Sequence, residues 1–136
     1  AYEYPKNAAT VYHAAGHTPR QLMECIADSA RQMPGRYAFT LHAGASLVAP
    51  FVHFTDVHVY TGDPAGAWVE ALDLREVEFG GNLSLLEPYD DGVFYRTREA
   101  DGAVVVGDIQ LYLDLFHYPA RGREQAGFLR SRRLTF

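Results

Sequence analysis

The stretch Thr55-Asp56-Val57-His58-Val59-Tyr60 decides the fold class, because it is the clearest β-strand in the sequence. Successive side chains of a strand point to opposite faces of a sheet, so Val57 and Val59 are predicted to share one face. The other face is predicted to carry Asp56, His58 and Tyr60. β-Branched and aromatic residues are frequent in strands, and their concentration here supports the assignment. The protein is therefore expected to contain a β-sheet to which this strand belongs.

Helical patterns flank this strand on both sides in the sequence. Thr18-Pro19-Arg20-Gln21 supplies an N-cap hydroxyl, a proline at the first helical position and a glutamine that can close a capping box. A helix is therefore predicted from there to about residue 32, before Pro34-Gly35. A second helix, over 64–72, is predicted to begin at Asp63 as its N-cap. The remaining predicted helices cover residues 44–49, 108–117 and 121–133.

Within the helix predicted over 108–117, apolar residues recur at helical spacing. The predicted buried stripe consists of Ile109, Tyr112, Leu113 and Phe116. Leu113→Ala is accordingly expected to lower stability by about 2 to 5 kcal/mol. Asp114 lies off this stripe, and we expect it to have a structural role through an ion pair with Arg121 or Arg123.

Two β-hairpins are predicted around turns that contain glycine. The predicted turns are Gly80-Gly81-Asn82 and Ala100-Asp101-Gly102. The strands that they join are predicted over 77–79 and 83–86 for the first hairpin, and over 93–97 and 103–106 for the second. A further short strand is predicted over 37–41, where aromatic and small residues alternate.

Helices that alternate with hairpins indicate an α/β (α+β) fold, in which helices flank a mixed β-sheet containing the hairpins. Residues 1–17 show no sustained period and are predicted to be a lead-in segment. Residues 18–136 are predicted to form a single domain, since 136 residues with 48% hydrophobic composition suffice for one core.

Composition and charge argue against several classes of protein. Twelve Lys and Arg against 17 Asp and Glu leave a net charge of -5, which disfavours a protein that coats nucleic acid through its overall charge. The apolar run over 43–52 is interrupted and falls short of the roughly 18 residues that a membrane span needs. Cys25 is the only cysteine, so no internal disulfide can form. Together with a start that does not resemble a signal peptide, this predicts a cytoplasmic protein.

Asp56 and His58 form the most informative pair of polar residues. Two positions apart on a strand, their Cα atoms are about 6.5 to 7 Å apart, which lets both side chains converge on one metal ion. A carboxylate with an imidazole suits zinc, manganese or iron better than magnesium. The acidic turn of Glu87, Asp90 and Asp91 could supply a further metal carboxylate, and in a metal-dependent nucleotidyltransferase the third carboxylate would be Glu78 or Glu87. The alternative interpretation is that this face of the strand is polar because it is exposed to solvent.

Positive charge is concentrated near the C-terminal end, on Arg121, Arg123, Arg130, Arg132 and Arg133. Compensation of the helix dipole can explain the three arginines at the end of the predicted helix, but not Arg121 and Arg123 at its start. Two interpretations remain open: intramolecular carboxylates hold these side chains, or an acidic partner binds them. All five arginines are therefore candidate partner-binding residues.

Two stretches resemble the opening of the minimal nucleotidyltransferase fold. They are His42-Ala43-Gly44-Ala45-Ser46-Leu47 and the strand Thr55-Asp56-Val57-His58-Val59-Tyr60. Ala43 stands where that family has the first of two glycines, and His58 stands where it has a second aspartate. The family's carboxylates hold two Mg²⁺ ions, for which an imidazole is a poor ligand. The resemblance therefore implies a degenerate, nucleotidyltransferase-like core.

From about residue 37 to residue 129, the chain also resembles the C-terminal domain of AbiEi-family antitoxins, which are regulators of bacterial type IV toxin-antitoxin systems. The more specific stretches are Gln110-Leu111-Tyr112-Leu113-Asp114-Leu115, Pro119-Ala120-Arg121-Gly122 and Ala126-Gly127-Phe128-Leu129. The resemblance implies a domain that opposes a nucleotidyltransferase-like toxin. Family members commonly bind operator DNA through an N-terminal winged helix-turn-helix. Residues 1–33 contain one predicted helix, so any such module is expected upstream of this chain.

These resemblances lead to an expectation about function. The chain is expected to be a non-catalytic regulatory or antitoxin-type domain, without a cofactor, that contacts a cognate toxin protein. DNA binding is expected only through an upstream winged helix, and no membrane association is expected. The alternative is a metal-dependent nucleotidyltransferase that uses Asp56, His58 and Glu87.

Overall fold

The computed structural model describes residues 8–33, 35–62, 66–88 and 90–134, in which five α-helices cover one mixed β-sheet of seven strands. The strands are β1 (Ala8–His13), β2 (Tyr37–Thr40), β3 (Val57–Thr61), β4 (Arg75–Glu76), β5 (Leu83–Glu87), β6 (Arg98–Ala100) and β7 (Ala103–Val105). The helices are α1 (Pro19–Ala30), α2 (Leu41–Val48), α3 (Gly66–Leu72), α4 (Asp108–Phe116) and α5 (Gly122–Arg133). The predicted α/β class and the mixed sheet are confirmed.

The strand order is β4-β1-β5-β3-β2-β7-β6, with β3 in the middle. β3 runs parallel to β5 and antiparallel to β2, so that Val59 lies between Leu85 and Phe39. β2 in turn runs parallel to β7. All five residues of β3 are buried, because strands lie on both of its edges and helices cover both faces of the sheet.

The two faces of β3 contribute to two separate hydrophobic clusters, as the alternating pattern predicts. Val57 and Val59 pack in a cluster that includes Leu22 and Ile26 of α1 and Trp68 of α3. The residues on the opposite side form a second cluster, which includes Tyr60 of β3, Leu111 and Leu115 of α4, and Leu129 of α5. The sheet therefore has α1 and α3 on one face and α4 and α5 on the other.

Two predictions that rest on short sequence motifs, the capping box of α1 and the turn at Asp101-Gly102, are confirmed. The capping box of α1 is present: Thr18 Oγ1 accepts from the Gln21 N–H at 3.2 Å, and Gln21 Oε1 accepts from the Thr18 N–H at 2.9 Å. β6 and β7 form a hairpin at the predicted turn, with Asp101 and Gly102 in the left-handed region at φ 51° and 78°, although its first strand is Arg98–Ala100 and not the predicted 93–97. The predicted N-cap at Asp63 lies outside the described residues. In the described part of the chain, no helix has the length and apolar character that crossing a bilayer requires.

The predicted lead-in segment is wrong for residues 8–13, which form strand β1. This strand pairs antiparallel with β4 on one edge and with β5 on the other, where Tyr12 lies opposite Leu83. The side chain of Tyr12 is buried in the core of the α1 face. Most side chains of β1 are small or polar, so the segment has no hydrophobic period that would predict a strand. Its place in the sheet is determined by pairing with strands that are distant in the sequence.

The hairpin predicted around Gly80-Gly81-Asn82 is also wrong, because β1 lies between β4 and β5. Asn82 joins this loop to the end of β1: its Oδ1 accepts from the Ala14 N–H at 2.8 Å, and its Nδ2 donates to the Ala14 carbonyl at 2.9 Å. A Cβ at Gly81 would collide with the Val11 side chain, so this position requires glycine. Gly81 and Asn82 therefore pack against β1 and the residue that follows it, and they do not form the tight turn of a hairpin.

A second strand segment is also misassigned, because Asp91–Phe94 is a 3-10 helix rather than the strand predicted over 93–97. The Asp90 carboxylate accepts from the Gly92 N–H at its start, at 2.6 Å, which favours a helical turn over an extended chain.

The predicted buried stripe of α4 is rotated relative to the structure. Ile109 is 62% exposed, and the fully buried side chains are Leu111, Asp114 and Leu115. Asp114 is structural, as predicted, but its hydrogen bonds differ from the predicted pairing with arginine. Its Oδ2 accepts from Thr40 Oγ1 at 2.6 Å and from Tyr60 Oη at 2.8 Å, and its Oδ1 accepts from Gln110 Nε2 at 3.0 Å. Because the Asp114 carboxylate faces the sheet, α4 is rotated so that Ile109 faces solvent and not the core.

Leu111→Ala is expected to lower the free energy of unfolding by about 2 to 5 kcal/mol, because Leu111 is fully buried and the variant leaves a cavity. Ile109→Ala, on the exposed side of the same helix, is the matched control and should change stability by about 0.5 kcal/mol or less. Leu113 is half-buried, so the large cost first expected for Leu113→Ala should be smaller than that of Leu111→Ala. Urea denaturation measures all three, and a larger loss for Ile109→Ala than for Leu111→Ala would contradict the observed helix rotation.

Asp114→Ala is expected to lower the free energy of unfolding by about 2 to 5 kcal/mol, because it leaves the buried hydroxyls of Thr40 and Tyr60 without this acceptor. Asp28→Ala is the control, since that carboxylate is exposed and pairs only with the exposed Arg31 among the contacts observed. Thermal and urea denaturation report the difference. Equal, small effects of the two substitutions would show that the buried hydrogen bonds do not stabilise the fold.

Candidate functional site

Two buried histidines flank one tyrosine where α2 and β3 meet the connection between α4 and α5. His42 of α2 is 6% exposed and His58 of β3 is 8% exposed. The Tyr118 ring lies edge-on to both imidazoles, with ring centroids 5.4 Å from His42 and 5.3 Å from His58. These three rings form the histidine site, which joins the sheet to the start of α5.

Hydrogen bonding leaves one nitrogen of each imidazole buried and unpaired. His42 Nε2 lies 2.6 Å from the Ala120 carbonyl oxygen, so a neutral His42 ring carries its proton on Nε2 and donates to that oxygen. The Nδ1 atoms of His42 and His58 are buried and have no hydrogen-bond partner among the described residues. Protonation at either Nδ1 would create a buried N–H without an acceptor, which is costly.

Burial therefore disfavours the charged form of both histidines. It lowers the pKa of His58 to about 4, and the neighbouring His42 acts in the same direction. Burial also lowers the pKa of His42, against the opposing effect of the Ala120 carbonyl and with a smaller contribution from Arg121. Both imidazoles are neutral at neutral pH and act as uncharged packing groups.

A cavity of about 200 Å³ lies beside the histidine site, and its lining includes His42, Asp56, Tyr118 and Arg121. Asp56 precedes β3 and is exposed. Burial raises the pKa of the Tyr118 hydroxyl, and the Asp56 carboxylate adds to that effect. The cavity thus has an imidazole, a carboxylate, a phenol and a guanidinium in its walls.

The predicted metal-ligand set of Asp56, His58 and Glu87 or Glu78 is not assembled. β3 and β5 are parallel, with Val57 opposite Leu83, so Asp56 and Glu87 lie at opposite ends of the strand pair, about 16 Å apart. Glu78 follows β4, which is separated from β3 by two strands. In the part of the chain that the structure describes, no three His, Cys, Asp or Glu side chains are grouped to hold a metal ion. Asp56 and His58 also differ in burial, because β3 begins only at Val57 and Asp56 lies in the preceding loop.

The C-terminal arginines have intramolecular contacts of several kinds. Arg121, in the left-handed region at φ 60°, donates from Nε and Nη2 to Glu124 Oε2 at 3.2 and 2.7 Å. Arg133 Nε lies 3.3 Å from both carboxylate oxygens of Asp108. An intramolecular carboxylate therefore holds Arg121, as one of the two open interpretations stated, but that carboxylate belongs to Glu124. Arg130 is exposed on α5.

The other two arginines lie over phenylalanine rings. The Arg123 guanidinium is 4.5 Å from the centre of the Phe116 ring, and that of Arg132 is 4.7 Å from the centre of the Phe128 ring. Phe51, which is 53% exposed, stacks on Phe128 with centroids 4.9 Å apart and an angle of 19° between the rings. We call Phe51, Phe128 and Arg132 the Arg–Phe surface; Arg123 and Phe116 form a separate pair, because Arg123 lies about 140° to 180° around α5 from Phe128 and Arg132.

Gln125 holds Phe51 in this arrangement. Its side chain is buried on α5, and its Oε1 accepts from the backbone N–H groups of Phe51 and Val52 at 3.1 and 3.0 Å. Its Nε2 donates to the Ala49 carbonyl at 2.7 Å. The loop after α2 is thereby fixed against α5, which places the Phe51 ring on the Phe128 ring.

Sequence reasoning located the arginines but missed the aromatic half of this surface, together with His42 and Gln125. The only signal available for Phe51 was its place directly after Pro50, outside any predicted helix or strand. Phe116 was assigned to a buried stripe, and its partial exposure follows from the rotation of α4. The hydrogen bond that joins Phe51 to Gln125 spans 74 positions of the sequence.

Comparisons with known proteins supply no relative from which a function could be transferred. No protein-family model matches the chain, and no curated protein or solved structure is significantly similar to it.

Acidification is expected to destabilise the protein through His58. The folded-state pKa is about 4 and the ordinary value is 6.5, so the unfolded chain binds more protons between these values. The free energy of unfolding should therefore fall as the pH falls from 6.5 to about 4, with about 3 kcal/mol attributable to this group.

Urea denaturation of the parent and of His58→Gln, at neutral pH and at about pH 4.5, measures this contribution. The variant should lose less stability on acidification than the parent, whatever its stability at neutral pH. His17→Gln, which removes an imidazole from an exposed turn, controls for loss of a histidine as such. An unchanged pH dependence in His58→Gln would contradict the assignment to this group.

Proposed function

We propose that this chain is a non-catalytic, antitoxin-type domain that acts by binding a partner protein through the Arg–Phe surface. The observation that carries the proposal is the exposed stack in which Phe51 lies on Phe128 and Arg132 lies over the same Phe128 ring. Phenylalanine and arginine are enriched in protein interfaces, where a few such residues supply most of the binding energy.

The stack is held in place before any partner binds. Gln125 fixes the backbone of Phe51, and the ring contacts restrict Phe128 and Arg132. A side chain that is already ordered loses less conformational entropy on binding, so more of its contact energy appears as affinity. This rigidity favours a binding role for the aromatic residues over an incidental exposure.

Charge defines the kind of partner. Helix α5 carries four arginines and one glutamate, in a protein whose net charge is -5. Arginine binds carboxylates through paired hydrogen bonds, so the complementary surface is acidic. An acidic protein surface satisfies this requirement, and the resemblance to AbiEi-family antitoxins suggests that the partner is a nucleotidyltransferase-like toxin.

The positions of the acidic residues support a non-catalytic role. Two-metal nucleotidyl transfer requires carboxylates that converge on adjacent ions. Asp56 and Glu87 lie at opposite ends of β3 and β5, and His58 is buried. Under this proposal, DNA recognition belongs to a separate winged-helix module, and the domain described here contributes the contact with the toxin.

Reversal of charge on the arginines of α5 is expected to weaken partner binding without unfolding the protein. The test variant is Arg123→Glu/Arg130→Glu/Arg132→Glu, and the control is Arg20→Glu/Arg75→Glu, on exposed positions of α1 and β4. Affinity for a purified nucleotidyltransferase-like toxin, the proposed partner, measured by calorimetry, should fall about tenfold or more in the test variant only. Exposed substitutions of this kind should each change stability by about 0.5 kcal/mol or less.

Phe51→Ala tests the aromatic contribution separately and is expected to weaken binding in the same assay. Parent protein that does not bind the toxin, or a test variant that binds as tightly as the control, would contradict the proposal. Binding to DNA instead, with a steep loss of affinity as salt rises, would reassign the arginines to phosphate contacts.

A further inference from the structure

A groove with a volume of about 540 Å³ lies at the end of α4 remote from Tyr118. Its walls come from the 3-10 helix, the segment that leads into β6, the start of α4 and the residue that follows α5. The residues that matter for its chemistry are Tyr95, Arg96, Arg98, Asp108, Ile109 and Leu134. The volume is within the range of about 300 to 1,000 Å³ that is typical of ligand pockets.

The groove exposes apolar side chains that nothing in the described structure covers. Tyr95 is 71% exposed and Ile109 is 62% exposed. Leu134 adds a third apolar group at the same groove. Removal of such groups from water is favourable, so an occupant with an apolar side chain would gain affinity here.

The groove also carries an excess of positive charge. Asp108 is its only acidic lining residue among those described, and it pairs with two guanidiniums, those of Arg98 and Arg133. Arg96 adds a third guanidinium, which lies 5.6 Å from the centre of the Tyr95 ring. The lining thus holds two arginines and one carboxylate, and Arg133, which lies outside the lining, also pairs with that carboxylate. The groove therefore has a net positive charge, which favours an occupant that carries negative charge.

The backbone beside Arg96 is fixed by close packing. Arg96 has a φ of 62°, and a Cβ at Gly107 would lie 3.0 Å from the Arg96 carbonyl oxygen. Gly107 is the N-cap of α4 and has no side chain to bond the free N–H groups of the first turn. The partial positive charge of that helix end adds to the field of the arginines.

The position of β6 favours a polypeptide as the occupant. β6 is the last strand of the sheet among the described residues, and the segment that enters it, including Arg96 and Arg98, lines the groove. The outer edge of such a strand offers backbone N–H and C=O groups to an added strand. An extended peptide can therefore fill the groove with one side chain while its backbone pairs with β6.

We infer that this groove is a docking site for a short acidic peptide segment that carries a hydrophobic side chain. The apolar side chain contacts Tyr95, Ile109 and Leu134, and the flanking carboxylates bind Arg96 and Arg98. The site is distinct from the Arg–Phe surface, and it does not depend on the identity of the partner that this surface binds.

Titration of the ¹⁵N-labelled protein with synthetic peptides tests the inference. The probe is the blocked hexapeptide Glu-Asp-Phe-Asp-Glu-Leu, compared with Glu-Asp-Ala-Asp-Glu-Ala and Lys-Lys-Phe-Lys-Lys-Leu, and with inorganic phosphate. The first peptide should shift the amide resonances of Tyr95, Gly107 and Ile109 in a saturable manner. The alanine and lysine peptides should bind at least about tenfold more weakly, since each lacks one of the two required features.

Two variants with one matched control define the site on the protein. Arg96→Ala and Ile109→Ala should each weaken binding of the first peptide several-fold, whereas Arg75→Ala, at the opposite edge of the sheet, should not. The variant with reversed charge on the arginines of α5 should still bind the peptide, which separates this inference from the proposed function.

Several outcomes would overturn the inference. The inference is wrong if the amide resonances of the groove residues show no saturable shifts. It is also wrong if the alanine peptide binds as tightly as the first peptide, because that result indicates non-specific charge attraction. Equal competition by phosphate would reassign the groove to small anions. Unchanged peptide binding in both Arg96→Ala and Ile109→Ala would place the site elsewhere on the protein.

Discussion

The buried carboxylate of Asp114 determines how α4 lies on the sheet, and much of the remaining structure depends on it. One of its oxygens accepts hydrogen bonds from Thr40 at the end of β2 and from Tyr60 of β3, while the other accepts from Gln110 on α4 itself. A buried carboxylate is tolerated only where such donors surround it. These hydrogen bonds select the rotation of α4 that exposes Ile109, which is why its apolar residues alone predict the wrong face.

The orientation of α4 also determines where α5 begins. A Cβ at Gly122, the first residue of α5, would collide with the Leu115 carbonyl oxygen, so the two helices pack closely around their connection. That connection places Tyr118 between His42 and His58. At its other end, α5 is tied to the start of α4 by the contact of Arg133 with Asp108. The histidine site, the Arg–Phe surface and the groove are thus attached to one helix pair.

The structure could be predicted from the sequence where it depends on residues that are close together in the chain. The capping box of α1, the Asp101-Gly102 turn and the alternation in β3 depend on neighbouring residues, and all three are confirmed. β1 and the separation of β4 from β5 depend on pairing between distant segments, which no local pattern records. The same limit applies to the candidate site: clustered arginines are visible in the sequence, whereas the contact between Phe51 and Phe128 exists only after α5 has packed against the loop that follows α2. Asp56, His58 and Glu87, the ligand set of the alternative metal site, are not brought together for a related reason, because β5 runs parallel to β3 and places Glu87 at the far end of the strand pair from Asp56.

The contrast between overall and local charge is informative about how such a protein selects its partners. A net charge of -5 repels other acidic molecules at long range, but this repulsion is screened beyond about 8 to 10 Å at physiological salt. At contact distance, the local excess of guanidinium groups on α5 and in the groove dominates. Aromatic or apolar side chains accompany the arginines at both places, so under both proposals the partner carries apolar groups as well as negative charge. The phosphates of duplex nucleic acid would pair with the arginines but leave Phe51, Tyr95 and Ile109 in water. An acidic protein surface with apolar residues, the partner that we propose, would contact both kinds of side chain.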